Sequence, residues 1–315
     1  MAIPASGVTF VVLNYNGREL LPVVLASIFG QTVEGFKTVV IDDASADDSV
    51  AYLAAEWPLV EVVASERNMG ISAAMARAVS IARTPYLALL NNDLELDPRW
   101  LAEMLSAMAE HPHAAAADGK MLSFHDRTVL DGAGDEMQRN GYPRRRGGGE
   151  RDRGQYEQPG EVFSATGGAA LYRREALDRV GPFDADLGAY YEDVDWGFRE
   201  RLLGLRTRYV PKAVCFHMGS ATTSREPGRY ASLIVRNQML VMVKDFPAAL
   251  LLFHLPRILL FQAKWLVFNS LHGLGAAHIR GLRQAAGELP ATLRKRRAIQ
   301  RARTAGLLEI ERALS

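Results

Sequence analysis

The amino-acid sequence predicts an α/β protein: a mainly parallel sheet with helices on both faces, followed by a C-terminal α-helical segment. Three observations carry this. Over the first hundred residues, short apolar runs rich in Val, Ile, Leu and Tyr alternate with helical stripes, and such alternation implies parallel strands covered on both sides. From residue 229 onward only helical periodicity remains. Finally, 48% of the 315 residues are hydrophobic, enough for a sizeable core in one large or two ordinary domains.

Taken in order, the runs at 9–13, 37–41, 60–64 and 86–90 read as buried strands. Leu20, Leu21, Val24, Leu25 and Ile28 form one helical stripe, and residues 73–81 form another. Asp97 and Pro98 supply an N-cap and a first-turn proline for a helix ending near His111 and Pro112. Residues 125–160, with Arg144, Arg145, Arg146 and three consecutive glycines, read as a polar, mobile loop. Order returns at 162–172, followed by a helix at 174–180, a turn at Gly181-Pro182, a helix at 193–203 and a short strand at 213–216. A second polar segment, 219–228, holds Ser220, Thr222, Thr223 and Ser224. The natural divisions are 1–228, itself in halves 1–118 and 119–228, and 229–315.

Composition excludes several classes. With 37 basic and 36 acidic side chains the net charge is +1, so no nucleic-acid partner is expected. The hydrophobic content excludes dominant disorder. A single cysteine, Cys215, forms no internal disulfide and no cysteine-based zinc site. The N-terminal apolar run is short and lacks a basic flank, so the expectation is a cytoplasmic protein. Residues 246–271 are the most apolar stretch, but His254, Pro256, Arg257, Gln262 and Lys264 interrupt them, which favours a helix lying in a membrane interface over one crossing it. Residues 280–303 hold Arg280, Arg283, Arg294, Lys295, Arg296, Arg297, Arg301 and Arg303 against Glu288 alone. That pattern fits a solvated face or contact with anionic lipid on the inner face of the cell membrane. A homo-oligomer interface is the rival explanation for the apolar stretch.

In parallel sheets ligands bind beyond the carboxyl ends of the strands. The first strand empties into Asn14, Tyr15 and Asn16, the second into Asp42 and Asp43, and the fourth into Asn91, Asn92 and Asp93, so the three sets are expected to share one crevice. Neither GxGxxG after the first strand nor GxxxxGK[ST] is present, which disfavours dinucleotide enzymes and P-loop NTPases. Asp43 or Asp47 suits a helix cap equally well. Asp93 is four residues ahead of Asp97 and needs another explanation: a hard carboxylate there suits Mg²⁺ or Mn²⁺ carried mainly by substrate phosphates. Glu192, Asp193 and Asp195 open a helix, where they suit the macrodipole or supply a general base. His217, at a strand end, is either structural or completes the metal shell begun by Asp93. Gly167 and Gly168 reflect close strand packing or the approach of a ligand to the backbone.

These clusters occur in an order that resembles the GT-A glycosyltransferases of family 2, and within them the rhamnosyltransferase-like branch that builds bacterial cell-surface polysaccharides. The matching pieces are VVLNYNG at 11–17, VIDDASADDS at 40–49, RNMGISAAMARA at 67–78, LLNNDLELDPRW at 89–100, TGGAALYRREAL at 166–177, VGPFDADLGAYYEDVDWGFR at 180–199 and VCFHMGS at 214–220. The resemblance implies that Asn14, Asp42, Asp43, Gly70, Asn91 and Asn92 face a dTDP- or UDP-sugar donor. It further implies that Asp93 and His217 hold Mg²⁺ or Mn²⁺, and that Asp193, beside Glu192, is the catalytic base of an inverting transfer. Gly167, Gly168, Asp195 and Trp196 would lie towards a glycan or lipid-linked glycan acceptor, and the segments 139–160 and 219–228 would act as lids. Asn91 departs from a strict DxD, which shifts the metal onto Asp93, the diphosphate and His217. Two other readings are a sugar-1-phosphate nucleotidyltransferase and an inactive binding protein. The first usually carries a Gly-rich basic loop where this chain has LNYNGREL, and the second would be expected to lose Asp93 or Asp193.

Overall fold

The computed structural model describes residues 3–219 and 226–315. The chain enters through β1 (Val8–Asn14), every residue of which is buried. Val8, Phe10 and Val12 point to one face and Val11 and Leu13 to the other, so a continuous apolar run serves two cores at once. Parallel neighbours β2 (Lys37–Asp42), β3 (Glu61–Ala64) and β4 (Tyr86–Asn91) follow, with β2 and β4 flanking β1. On one face lie α1 (Leu21–Phe29), α2 (Ser49–Glu56) and α4 (Trp100–Glu110). The other face carries α3 (Ile71–Ile81), α5 (Arg174–Val180) and α6 (Glu192–Leu202). Helix α4 begins at Trp100 rather than at Pro98, because Asp97 caps a preceding turn by accepting from the Arg99 N–H at 2.9 Å.

The sheet continues through β5 (Leu94–Leu96), β6 (Ala114–Ser123), β7 (Leu130–Gly132), β10 (Gly160–Val162), β11 (Ala169–Arg173) and β12 (Arg206–His217). Among the described residues ten strands form one mixed sheet, its main path running β10-β12-β6-β11-β4-β1-β2-β3. β11 is antiparallel to both β4 and β6, which carries the chain into the second half. The strand expected at 213–216 is the last third of the twelve-residue β12.

Residues 125–160 are not a loop. They contain β7 and a separate hairpin of β8 (Asp135–Met137) and β9 (Pro143–Arg145). Gly141, Gly147, Gly149 and Gly154 all have positive φ, so the glycine-rich composition encodes tight turns. The lid expected at 139–160 is therefore a hydrogen-bonded hairpin and its flanks. Most of the other expected lid, residues 220–225, lies outside the described residues.

Beyond this come α7 (Pro227–Asp245), α8 (Ala248–Leu271), α9 (Gly275–Ala302) and α10 (Leu307–Ala313). Leu240 and Val241 of α7 share a core with Phe198 of α6 and Met137 of β8, so the C-terminal helices brace the second half of the sheet. Helix α8 runs unbroken through Pro256 and, by length and composition, is long enough to cross a membrane, contrary to the expectation from its polar interruptions. The basic run on α9 is partly internal. Lys295 pairs with Asp184 and Asp186, and Arg296 donates to the Val243 and Phe246 carbonyls.

Candidate active site

The three strand ends do converge. Asn14, buried at the end of β1, donates from Nδ2 to Asp42 at 2.8 Å and accepts at Oδ1 from Asn92 at 2.8 Å. Asp42 also accepts from the Ser45 N–H and hydroxyl at 2.8 and 2.7 Å. Asp43 turns the other way. Its carboxylate accepts from the Met69 and Gly70 N–H groups at 2.9–3.0 Å, fixing the entry to α3 rather than capping α2. Gly70 is required there on two counts: its φ is +86°, and a Cβ would sit 2.7 Å from the Gly188 carbonyl.

Asn91 donates its N–H to the Gly168 carbonyl at 2.8 Å, while its buried Oδ1 has no protein partner. Asp93 follows, buried, with Oδ2 3.1 Å from His217 Nε2 and Oδ1 again without a protein partner. His217 Nδ1 meets Asp131 at 3.0 Å, and Asp131 in turn pairs with Arg145 at 2.5 Å. Burial alone would lower the His217 pKa, but the bonds to Asp131 and Asp93 outweigh it and raise it to about 9.

These atoms suit a divalent ion. Oδ1 of Asp93 and Oδ1 of Asn91 are hard oxygen donors left unused in a buried place, where an unmet polar atom is unfavourable. Among the described residues no group of three or more His, Cys, Asp or Glu side chains is arranged to hold an ion. Asp93 and His217 would thus supply a partial shell that a diphosphate completes, as magnesium-type sites commonly do.

Across from this, the Glu192-Asp193 pair opens α6. Tyr190 and Tyr191 lead into it with φ of +67° and +72°, a conformation rare for bulky residues and costing on the order of 1–3 kcal/mol each. Asn237 of α7 holds that turn, its buried Nδ2 donating to the Leu187, Ala189 and Tyr190 carbonyls at 2.8–3.0 Å. The half-buried Asp193 accepts from the Gly167 N–H at 3.0 Å and from the Val194 N–H at 2.8 Å. A Cβ on Gly167 would lie 3.1 Å from Asp193 Cβ, so this glycine lets the carboxylate approach the strand end. Burial, reinforced by the Asp193 charge, raises Glu192 to about 8 and Asp135 to about 7. Asp193 therefore acts electrostatically on two carboxyls, Glu192 and Asp135, that burial holds toward their neutral form.

Model matching assigns residues 9–181, more than half of the chain, to "Glycosyl transferase family 2". The chain belongs to that family. It is a family 2 glycosyltransferase of the GT-A fold with an added C-terminal helical segment. It is 26% identical over 243 residues to the N-acetylglucosaminyl-diphospho-decaprenol L-rhamnosyltransferase of Mycobacterium tuberculosis, covering 70% of this chain and 78% of that protein. It is also 27% identical over 250 residues, 71% of its length, to the protein y4gI of Sinorhizobium fredii, of which it spans about a quarter (26%). The mannosyltransferase PcManGT of Pyrobaculum calidifontis, solved with GDP-Man and Mn²⁺, superposes over 96% of this chain and 88% of its own, with a TM-score of 0.57 at 21% identity.

Two site expectations fail. Asp195 and Trp196 do not face an acceptor: both are buried, Asp195 among Arg199 and Lys244, and Trp196 against Tyr172 and Phe183 with its indole N–H on the Gly181 carbonyl. They point inward because positions four and five of α6 face the core. Conversely, sequence reasoning missed Asp131, Asp135 and Arg145, which sit in the stretch taken for a loop. The alternation of small or apolar with charged residues in LDGAGDEM was the available signal.

Proposed function

We propose that this enzyme is an inverting glycosyltransferase that moves a sugar from a nucleotide-sugar donor to a hydroxyl of a lipid-linked or cell-surface glycan. The sugar favoured is rhamnose, by similarity to the rhamnosyltransferase, with dTDP-rhamnose as the donor that the family resemblance implies. The observation that carries the reading is the pair of unpartnered buried oxygens on Asn91 and Asp93 beside His217, at the carboxyl end of the sheet. On this reading residues 1–118 bind the donor and 119–228 the acceptor. Asn14, Asp42 and Asn92 line the nucleoside side, and Asp43 acts through Gly70 by setting the α3 entry. Asp193 takes the proton of the acceptor hydroxyl as its oxygen attacks the anomeric carbon, and the Gly167 N–H keeps the carboxylate aimed. A divalent ion held by Asp93 and His217 would neutralise charge developing on the leaving diphosphate.

The same reading makes the protein peripheral on the inner face of the cytoplasmic membrane. Helix α8 is tied to the body along its length: His254 to Glu311 at 2.7 Å, Gln262 to Gln238 at 2.7 Å and Asn269 to His278 at 2.9 Å. A helix fastened in this way lies along a bilayer rather than across it.

Incubation with dTDP-rhamnose and N-acetylglucosaminyl-diphospho-decaprenol, with the product anomer read by NMR, tests the transfer. Asp193→Asn is expected to lower the rate by roughly 10²–10⁴ while donor affinity stays within about twofold. Wild-type rate in that variant removes Asp193 from the mechanism.

A further inference from the structure

The β8–β9 turn and α8 enclose an open cavity of about 410 Å³. Arg139 and Asn140 line it from the turn, and Arg257, Leu260, Phe261 and Lys264 from α8. The four α8 positions follow an i, i+3, i+4, i+7 pattern and so form one stripe. Tyr142 clamps the turn onto this stripe, packing on Phe261 and Trp265 with ring centroids 5.1 and 5.6 Å apart.

Two features of the stripe point to its ligand. Arg257 and Lys264 are exposed and, among the described residues, make no hydrogen bond or ion pair, and α8 contains no acidic residue. Beside them the helix turns an apolar face outward: Leu252, Phe253, Leu259, Val267 and Leu271 are 58–80% exposed. A contiguous exposed apolar face bordered by cations of one sign complements a surface that is apolar below and anionic above. A protein partner would have to provide an equally long apolar strip with anions on one side only, whereas a bilayer has that layering everywhere.

We infer that this cavity binds the phosphate-bearing headgroup of a bilayer-embedded amphiphile, whose chains continue along the apolar face of α8. The inference deepens the membrane reading above and rests on it. It also connects lipid to chemistry. The turn that closes the cavity follows directly on β8, which starts at Asp135, and a three-residue strand spans about 10 Å. A headgroup held by Arg257 and Lys264, beside Arg139, which pairs with Glu311 at 2.8 Å, is thereby set one short strand from the carboxyl that feels the Asp193 charge.

The test is flotation of the full chain with phosphatidylcholine vesicles, with and without phosphatidylglycerol. The wild type is expected to float only with the anionic vesicles, and Arg257→Gln/Lys264→Gln to lose binding by at least roughly tenfold. Arg257→Lys/Lys264→Arg, which keeps both charges, is expected to float as the wild type does. Donor-nucleotide binding is measured on every variant and is expected to be unchanged. If the wild type floats and the Gln variant floats equally well, the membrane reading stands and the cavity assignment falls. A wild type that stays at the bottom with anionic vesicles overturns both. A rise in thermal midpoint with inorganic phosphate that Arg257→Gln/Lys264→Gln abolishes, without flotation, would make a soluble anion the ligand of the cavity and overturn the proposal.

Discussion

Asp131 and His217 meet at 3.0 Å through the imidazole Nδ1, and this contact decides which nitrogen faces Asp93. With Nδ1 committed, Nε2 lies 3.1 Å from the Asp93 carboxylate, on the side where the unpartnered oxygens gather. Arg145, from β9, fixes Asp131 in turn at 2.5 Å. Asp131 of β7, itself held by Arg145 of the hairpin, therefore orients a strand-end histidine, in the way outer carboxylates orient metal-binding imidazoles.

Removing that support is expected to weaken metal binding without touching the nucleotide. Asp131→Asn should lower Mn²⁺ affinity by roughly 10- to 100-fold, read by the EPR signal of free Mn²⁺. Nucleotide affinity measured without metal should stay near the wild-type value. Unchanged Mn²⁺ affinity would show that His217 does not depend on Asp131.

The strained turn before Glu192 and Asp193 gives a second prediction. The two hydrogens of the Asn237 amide nitrogen are shared among three carbonyls of residues 187–190 while Tyr190 and Tyr191 hold positive φ. Asn237→Ala removes a buried donor from this turn, although the Leu187 carbonyl keeps the Ala189 N–H at 2.9 Å, and is expected to cost about 1–3 kcal/mol of stability. Its kcat should fall while Mn²⁺ affinity is retained, because the metal-side residues lie on other elements. Equal losses in both would mean that the helix acts on the whole site and not on this turn.

The buried carboxyls set a pH dependence. Glu192 titrates near 8 in the fold against about 4.5 in the unfolded chain, so between these values the unfolded state releases a proton that the folded state keeps. Stability is accordingly full below about pH 4.5 and falls as pH rises toward 8. Asp135 and Glu200, each raised to about 7 chiefly by burial, act in the same direction. Urea unfolding at pH 5.5 and 8.5 should show a lower midpoint at the higher pH. Glu192→Gln, which keeps the acceptor for Ser72, should shrink that difference, and an undiminished difference would assign the effect elsewhere.

Lys244 is buried between Asp184 and Asp195, the latter fully inaccessible. Lys244→Met leaves Asp184 with Lys295 alone and the buried Asp195 with Arg199 alone, and is expected to cost about 1–3 kcal/mol in urea unfolding. A loss below about 1 kcal/mol would show that water reaches the cluster.

Where periodicity was unambiguous, the sequence was readable. β1 to β4 fall within a residue or two of the apolar runs, and Asn14, Asp42 and Asn92 interlock as their strand ends required. The β7 to β9 region escaped because three-residue strands are too short to show a period and their turns are written in glycine and arginine. Asp195 and Trp196 were misplaced for a different reason. The motif that contains them is contiguous, but α6 is covered on nearly every side, and only packing shows that both residues turn inward. Asn237 lies in α7 and serves a turn fifty residues earlier, a relationship no local pattern encodes.

The central claim is a donor site at the strand ends that a divalent ion completes through Asp93 and His217. Ligand-observed NMR of dTDP-, UDP- and GDP-sugars, with and without Mn²⁺ or Mg²⁺, tests it most directly, using the wild type and Asp93→Ala. The account predicts preference for one nucleotide, tighter binding with the metal, and loss of the metal effect in the variant. Binding of every nucleotide that ignores metal, or no binding by the folded wild type, would contradict it.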